Sequence, residues 1–322
     1  ISFLPRYYKR AAELLADVLF NSIFPYKEIE KEKDVIIDEI HSYKDDPQEL
    51  IYDEFEELLF AGHSLSHSIL GEPEIIKSFS KNKIINFIKR NYVNQNIVIC
   101  SVGKIKFNNL VHILQKYFLQ SLTDKESNKR EFFQNKNSKF IVEKIKNVNH
   151  SHCIIGSIAY NNKDKKRIPF TLVDNFLGGP TMTSRLSLQI REKYGYSYNI
   201  YSSYIPFCDT GVFNIYFSCE NENVNKIIEL IRKELNKLCE IKLGPIQLLR
   251  AKNQLMGQIA ISLESNLNEM LSIGKSLIVF DKVDPIDKIF QKIENITASD
   301  ILEVSNEILR FDNLSILIYK AN

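Results

Sequence analysis

Two glutamates, Glu32 and Glu39, are the residues of this 322-residue chain whose type and spacing best suit chemistry. They lie seven residues apart in a segment with helical periodicity, so both carboxylates point the same way, about two turns apart. On a helical wheel they fall inside an apolar arc that includes Ile29, Ile36 and Ile40. A carboxylate inside such an arc is paired, hydrogen-bonded or bound to a metal. Two interpretations stay open: a helix edge whose glutamates pair with neighbouring Lys or Arg, or a ligand position.

Composition excludes several classes of function. The 42 basic and 40 acidic residues give a net charge of +2, so neither nucleic acid nor an anionic membrane is expected as a partner. Hydrophobic residues make up 44% and charged residues 25% of the chain, as in a soluble globular protein. No apolar run approaches the ~20 residues that a membrane-spanning helix needs.

The cysteines indicate a reducing compartment. Their number is odd and no two form a Cys-x-x-Cys pair, which favours free thiols over disulfides or a cysteine zinc site. We therefore expect a cytoplasmic protein. The five are Cys100, Cys153, Cys208, Cys219 and Cys239. Because the chain starts at Ile1 in an extended segment that leads into a helix, we also interpret it as part of a longer polypeptide.

Helical and β patterns occur in two halves with a similar plan, which predicts an α+β protein of two homologous lobes. Each lobe is expected to contain a mixed, mostly antiparallel sheet packed against helices. In the first half, helices are predicted at residues 5–21, 26–44, 48–60, 81–92 and 107–118, with a β segment at 96–103. In the second, β segments are predicted at 139–145, 152–159, 197–204, 211–218 and 314–319, and helices at 168–177, 182–193, 223–239, 244–263, 267–280 and 299–309. The polar stretch 121–138 is predicted to link lobes 1–120 and 139–322.

A series of short motifs in a fixed order gives this chain a family resemblance over nearly its whole length. They are Glu32-Lys-Asp-Val-Ile-Ile-Asp-Glu39-Ile, Asp46-Pro47, Ile69-Leu-Gly71, Tyr92-Val-Asn-Gln-Asn-Ile-Val98, Leu177-Gly-Gly-Pro-Thr-Met-Thr-Ser-Arg185, Ile190-Arg-Glu-Lys-Tyr-Gly-Tyr-Ser-Tyr198 and Asp209-Thr-Gly211. With these motifs the chain resembles the pitrilysin/insulinase-type zinc peptidases, or inverzincins, which include the mitochondrial processing peptidase.

The resemblance implies roles for four residues. Glu39 matches the third zinc ligand of the family, and Glu32 matches an acid that supports the zinc site from outside. Arg191 and Tyr198 match residues that hold substrate, and we expect them to bind an extended or unfolded peptide. From the residues alone, a solvent-exposed Arg and a Tyr packed in the sheet remain the alternative. Small members of the family form homodimers, which is the assembly we expect.

The chain departs from the family in having no His-x-x-Glu-His motif. Its six histidines are His41, His63, His67, His112, His150 and His152, and none lies in such a motif. We therefore expect the motif upstream of Ile1, and one zinc ion only in the complete protein. The leading hypothesis is a zinc endopeptidase that cleaves peptides with metal-activated water and is inactive as this chain alone. The alternative is a non-catalytic partner or structural subunit of the same family.

Overall fold

The computed structural model describes residues 1–93, 96–119, 132–133 and 139–322. In this part of the chain the α-helices are α1 (Tyr8–Phe20), α2 (Tyr26–Lys44), α3 (Pro47–Leu59), α4 (Pro73–Lys77), α5 (Lys81–Asn91), α6 (Phe107–Phe118), α7 (Arg167–Gly178), α8 (Val224–Glu240), α9 (Pro245–Leu263), α10 (Asn266–Phe280), α11 (Ile286–Glu294) and α12 (Ala298–Ile308). The strands are β1 (Ile141–Lys146), β2 (Ser151–Ala159), β3 (Asn199–Pro206), β4 (Gly211–Cys219) and β5 (Ser315–Ala321). A π-helix covers Ser187–Glu192.

The turn between α2 and α3 follows directly from its sequence. Asp46 caps α3, because its side chain accepts hydrogen bonds from the N–H groups of Gln48 at 2.9 Å and Glu49 at 3.4 Å. Pro47 occupies the first helical turn, where its missing N–H costs nothing. Together a capping carboxylate and a proline end one helix and begin the next within two residues.

The five strands form one mixed sheet in the order β1-β5-β2-β4-β3. The β1–β5 pair is parallel and the other three pairs are antiparallel. The central strand β2 is covered on both faces, and its residues from Ser151 to Gly156 are all buried. Ile155 faces one hydrophobic cluster and Ile154 the other. The predicted α+β class and the mixed, mostly antiparallel sheet are thereby confirmed.

The chain divides into two compact units that are not continuous in sequence. Unit 1 contains residues 1–40, 70–93, 96–119 and 262–283. Unit 2 contains residues 41–69, 132–133, 139–261 and 284–322. Thus α3, from the first half of the sequence, belongs to unit 2, and α10, from the second half, belongs to unit 1. The predicted division into two homologous lobes remains a prediction, and the compact units differ from its bounds in these two segments.

Unit 2 contains the sheet between two hydrophobic layers. On one face pack residues of α7, α8, α9 and α12, including Phe170, Ile231 and Leu235, none of which is accessible to solvent. On the other face α3 packs Ile51 and Phe55 against the sheet. In unit 1, a smaller cluster joins α1 and α6 and consists of Ala12, Ala16 and Phe118.

One feature of the first half differs from the sequence prediction. The apolar segment 96–103 is not a strand, because no other strand lies in the described part of unit 1 and a strand needs a hydrogen-bonded neighbour. The predicted linker 121–138 lies outside the described residues except for Phe132 and Phe133. Phe133 belongs to unit 2, where its ring lies 5.3 Å from that of Phe60 and its N–H donates to Asp209 at 2.7 Å.

Candidate functional site

Glu32 and Glu39 lie on α2, and both side chains are exposed. Their separation of seven residues places them about 10 Å apart along the helix axis. Neither carboxylate has a hydrogen bond or ion pair to any described residue. The buried side of α2 is formed by Ile29 and Ile40, which are 9% and 2% exposed. The expectation that the glutamates share the apolar arc is therefore wrong, although their role as ligand positions remains a prediction.

The residue that does share the buried arc is Lys33. Its side chain is 12% exposed, and its ammonium group donates to Glu30 at 2.8 Å and to the Lys77 carbonyl at 3.1 Å. Long Lys side chains bury their alkyl stems in this way while the charged end finds a partner. Val35, which would extend the arc toward the glutamates, is 49% exposed. The arc is thus displaced from the glutamates toward Lys33.

A pocket of about 600 Å³ lies within unit 1 next to Glu32. Its lining is mainly apolar with a few charged groups, as is common in ligand sites. One lining residue, Phe24, has a φ of 47°, which is unfavourable for a bulky side chain. The lining residues are Asp17, Val18, Asn21, Ser22, Ile23, Phe24, Pro25, Glu28, Ile29, Glu32, Lys33, Ile36, Ile76, Phe79 and Ile84.

The described residues do not form a zinc site. No group of three or more His, Cys, Asp or Glu side chains in this part of the chain is arranged to hold a metal ion. The histidines have other neighbours: His63 Nδ1 accepts from the Leu65 N–H at 3.3 Å, and His152 Nδ1 lies 2.8 Å from the Tyr216 hydroxyl. Burial lowers the pKa of His152. Glu39 is therefore a single donor, whereas zinc needs at least three protein ligands.

Arg191 lies in the π-helix of unit 2. The defining hydrogen bond of this helix joins the Lys193 N–H to the Leu188 carbonyl at 3.1 Å, five residues apart. The fully buried Ile190 anchors the segment, while Arg191 keeps 37% of its side chain exposed. Its nearest ion pair is with Glu192 at 3.5 Å, a long contact that leaves the guanidinium available. Isolated π-helical turns are frequent at functional sites.

Tyr198 directly precedes β3 and is 77% exposed, so it is not packed in the sheet. The turn between the π-helix and Tyr198 contains Gly195 with a φ of 65°, which a residue with a side chain rarely adopts. Next to Tyr198, the buried Ser197 hydroxyl donates to the Ser218 carbonyl at 2.8 Å and fixes the start of β3. Arg191 and Tyr198 are thus accessible side chains on well-anchored backbone.

A cluster of side-chain amides between α7 and α9 was not predicted from the sequence. Asn175 Nδ2 donates to Gln258 Oε1 at 2.6 Å, and Gln254 Nε2 donates to Asn175 Oδ1 at 3.2 Å and Thr181 Oγ1 at 3.1 Å. The available signal was the spacing of Gln254 and Gln258, which are four residues apart on one helix face. The partner on α7 is 79 positions away from Gln254 and could not be recognised from this spacing.

Next to this cluster, Asp174 is a carboxyl group whose Oδ1 is inaccessible to solvent and has no hydrogen-bond partner. Burial raises the pKa of Asp174 to about 6, against the opposing effect of hydrogen bonds from Ser202 and Tyr204. Since its folded-state pKa lies above the unfolded value, the stability it contributes is present at low pH and is lost as the pH rises through about 6.

We therefore expect Asp174→Asn to stabilise the protein at pH 7.5 by about 1–2 kcal/mol, allowing for partial exposure of the side chain. The gain should vanish near pH 4, where the carboxyl group is already protonated. Urea unfolding at both pH values measures it. Asp287→Asn, at an exposed position of α11, is the control and should change stability little at either pH. An equal gain at both pH values would show that the ionisation of Asp174 is not the cause.

Comparison with known families identifies the chain. A family model described as "Peptidase M16 inactive domain" matches residues 78–255, more than half of the sequence. The chain belongs to the peptidase M16 family. This confirms the resemblance to the inverzincin zinc peptidases that the motifs indicated.

Curated relatives of this M16 chain carry protease names. A protein of Rickettsia felis named "Uncharacterized zinc protease" is 30% identical over 312 residues, covering 96% of this chain and 74% of the relative. The "Uncharacterized zinc protease YmxG" of Bacillus subtilis is 26% identical over 311 residues, covering 96% and 74%.

Solved structures share the M16 fold. An M16 inactive domain from Pseudomonas fluorescens superposes with a TM-score of 0.91 at 19% identity, covering 99% of this chain and 76% of that one. A chain of complex III from Candida albicans reaches a TM-score of 0.80 at 18% identity, covering 97% and 76%. In the described part of this M16 chain, no helix has both the length and the apolar character to cross a membrane.

Proposed function

We propose that the complete protein is a zinc-dependent endopeptidase that cleaves extended or unstructured peptides. In this proposal Glu39 is a zinc ligand, Glu32 supports the site from outside, and Arg191 and Tyr198 bind substrate. The observation that carries it is the surface of α2: two exposed carboxylates on one helix face, without partners in the described residues, beside a pocket of about 600 Å³.

The proposal assigns the remaining zinc ligands and the general base to a segment outside residues 1–322. One carboxylate is too small a donor set for catalytic zinc, and no described group of side chains completes it. The protease names of the relatives, which are longer than this chain, support the proposal. The chain by itself would then have no peptidase activity.

On the substrate side, Arg191 and Tyr198 offer two kinds of hydrogen-bond donor. The planar guanidinium of Arg191 can bind a peptide carbonyl or a C-terminal carboxylate with two parallel N–H groups. The Tyr198 hydroxyl can donate to a peptide carbonyl oxygen. Both side chains are accessible and lie within one short segment of unit 2, which supports a joint role in holding peptide.

Zinc binding tests this proposal. We expect the 322-residue chain to bind zinc only weakly and to cleave no peptide, and the complete protein to bind one zinc ion tightly. Glu39→Gln in the complete protein should weaken zinc binding at least about tenfold, because an amide is a poorer ligand than a carboxylate. Competition with a zinc chelator measures the affinity.

Asp38→Asn is the matched control, since Asp38 is an exposed neighbour on the same helix, and zinc binding should not change. Nanomolar zinc affinity of the 322-residue chain would show that the assigned ligands are wrong. Unchanged affinity of the Glu39→Gln protein would exclude Glu39 as a ligand.

The second candidate function is a non-catalytic partner or structural subunit of the same family. It is favoured by the matching family model, which describes an inactive domain. If the complete protein binds no zinc, this function replaces the first. The expected homodimer and the cytoplasmic location remain proposals for either function, and light scattering of the purified protein tests the dimer.

A further inference from the structure

The amide cluster between α7 and α9 encloses a loop with very little free space. The loop starts with Gly178 and Gly179, and a Cβ atom at either position would lie 2.4 Å from a backbone atom, Ser202 N or Asn175 O respectively. Such distances are not tolerated, so the loop fits only as glycine. The loop backbone therefore packs directly against the backbone of α7 and of β3.

Gln254 joins the two ends of this loop. Its Nε2 group donates both to Asn175, before the glycines, and to Thr181, after them. Asn175 is 9% exposed and is itself bonded to Gln258, so the cluster is held from both helices. A side-chain amide with two N–H donors is the group that this arrangement requires.

From Thr181, hydrogen bonds continue without interruption to the π-helix. The Ser184 N–H donates to the Thr181 carbonyl at 3.1 Å, and the Leu188 N–H to the Ser184 carbonyl at 2.9 Å. The Ser184 hydroxyl also donates to that of Ser187 at 2.9 Å, and both side chains are buried. Leu188 in turn accepts the π-helical hydrogen bond from Lys193. The backbone that carries Arg191 is thus linked to Gln254 by successive contacts.

We infer that Gln254 is a positioning residue, which fixes the loop 178–181 and through it the π-helix, so that Arg191 is held in place to bind a peptide. This inference rests on the proposed substrate role of Arg191. Gln254 itself does not touch the peptide. Its contribution is preorganisation, because a guanidinium that is already held in place loses less conformational entropy on binding.

The test uses Gln254→Met, which keeps the length of the side chain but removes both N–H donors. Asn253→Ala is the control, since Asn253 is exposed at the adjacent position of α9. In the 322-residue chain, hydrogen exchange of the amides in residues 185–198 should become faster in Gln254→Met and stay unchanged in Asn253→Ala. The affinity for a fluorescein-labelled peptide of random-coil sequence should fall about fivefold, roughly the loss of one neutral hydrogen bond.

A double-mutant cycle separates positioning from a direct or general structural effect. If Gln254 acts through Arg191, then Gln254→Met should not weaken peptide binding further in the Arg191→Ala background, although it should still speed up hydrogen exchange. Additive losses of affinity would overturn the inference, and so would unchanged hydrogen exchange in Gln254→Met. If Arg191→Ala alone leaves peptide binding unchanged, the proposed substrate site is wrong, and the inferred role of Gln254 in peptide binding falls with it.

Discussion

Phe55→Ala is expected to lower the free energy of unfolding by about 3–5 kcal/mol, the range for a large aromatic side chain in a packed core. Phe55 is inaccessible to solvent and lies at the centre of the contact between α3 and the sheet. Its ring centroid is 5.4 Å from that of Phe140, and Leu317 belongs to the same cluster. The cavity would be only partly refilled, because the structure around a truncated core side chain relaxes only in part. Urea unfolding followed by circular dichroism measures the change.

The matched control for this substitution is Phe107→Ala, because Phe107 begins α6 and is 75% exposed. It should alter stability by no more than about 0.5 kcal/mol. A loss at Phe55 as small as that at Phe107 would show that α3 does not pack on the sheet of unit 2. The unit boundaries described above would then be wrong for residues 41–69.

In the complete protein, Arg191→Ala and Tyr198→Phe should each lower kcat/KM for an unstructured peptide about ten- to a hundredfold, while zinc content stays the same. Each substitution removes a contact to substrate. The Arg191 guanidinium is charged, the Tyr198 hydroxyl would donate to the negative charge that develops on the carbonyl oxygen during cleavage, and hydrogen bonds to charged groups contribute about 1.5–3 kcal/mol. Tyr198→Phe removes only the hydroxyl of a 77% exposed side chain, so the fold should be unaffected. Zinc stoichiometry, thermal stability and kcat/KM are measured on the same preparations.

Residues of the same type elsewhere in unit 2 provide the controls. Tyr194→Phe changes a 43% exposed tyrosine in the preceding turn, which stacks on Tyr196 with centroids 5.4 Å apart. Arg310→Ala removes an exposed arginine whose guanidinium is bonded to Asn306. Both variants should cleave peptide as the parent does. Parental activity of the Arg191 and Tyr198 variants would show that these residues have no role in binding substrate.

The spacing of apolar residues predicted those helices and strands well in which the buried residues lie along one face of the element. The amphipathic pattern of α8, with Ile227, Ile231 and Leu235 fully buried, is an example. It could not predict the segment 96–103, whose residues have the composition of a strand but no neighbouring strand in the described part of unit 1. The residue types of a segment indicate a preference for extended backbone, but a strand forms only where a neighbouring strand can hydrogen-bond to it.

The residues of the candidate site were predicted from their types and from the order of the motifs along the chain. The helical wheel of α2 contributed less, because it predicted the wrong environment for the two glutamates. The wheel predicts Glu32 and Glu39 within the apolar side of α2, with Val35 at its edge. In the structure Val35 is 49% exposed, and the buried side includes Lys33, which lies away from the glutamates. A long side chain with an apolar stem is not recognised as buried from its charge alone. Long-range pairs, such as Gln254 with Asn175, cannot be inferred from local spacing at all.

The helix α3 comes from the first half of the sequence but belongs to unit 2, and this has a consequence for biosynthesis. Ribosomes deliver α3 (Pro47–Leu59) long before the strand β5 (Ser315–Ala321), which completes its binding surface and includes Leu317. Until then the sheet that covers Ile51, Phe55 and Phe60 is incomplete, and a partly exposed apolar helix of this kind is a target for chaperones and for aggregation. Native packing of α3 therefore has to wait until β5 has been synthesised, so that this early helix completes its folding together with the sheet.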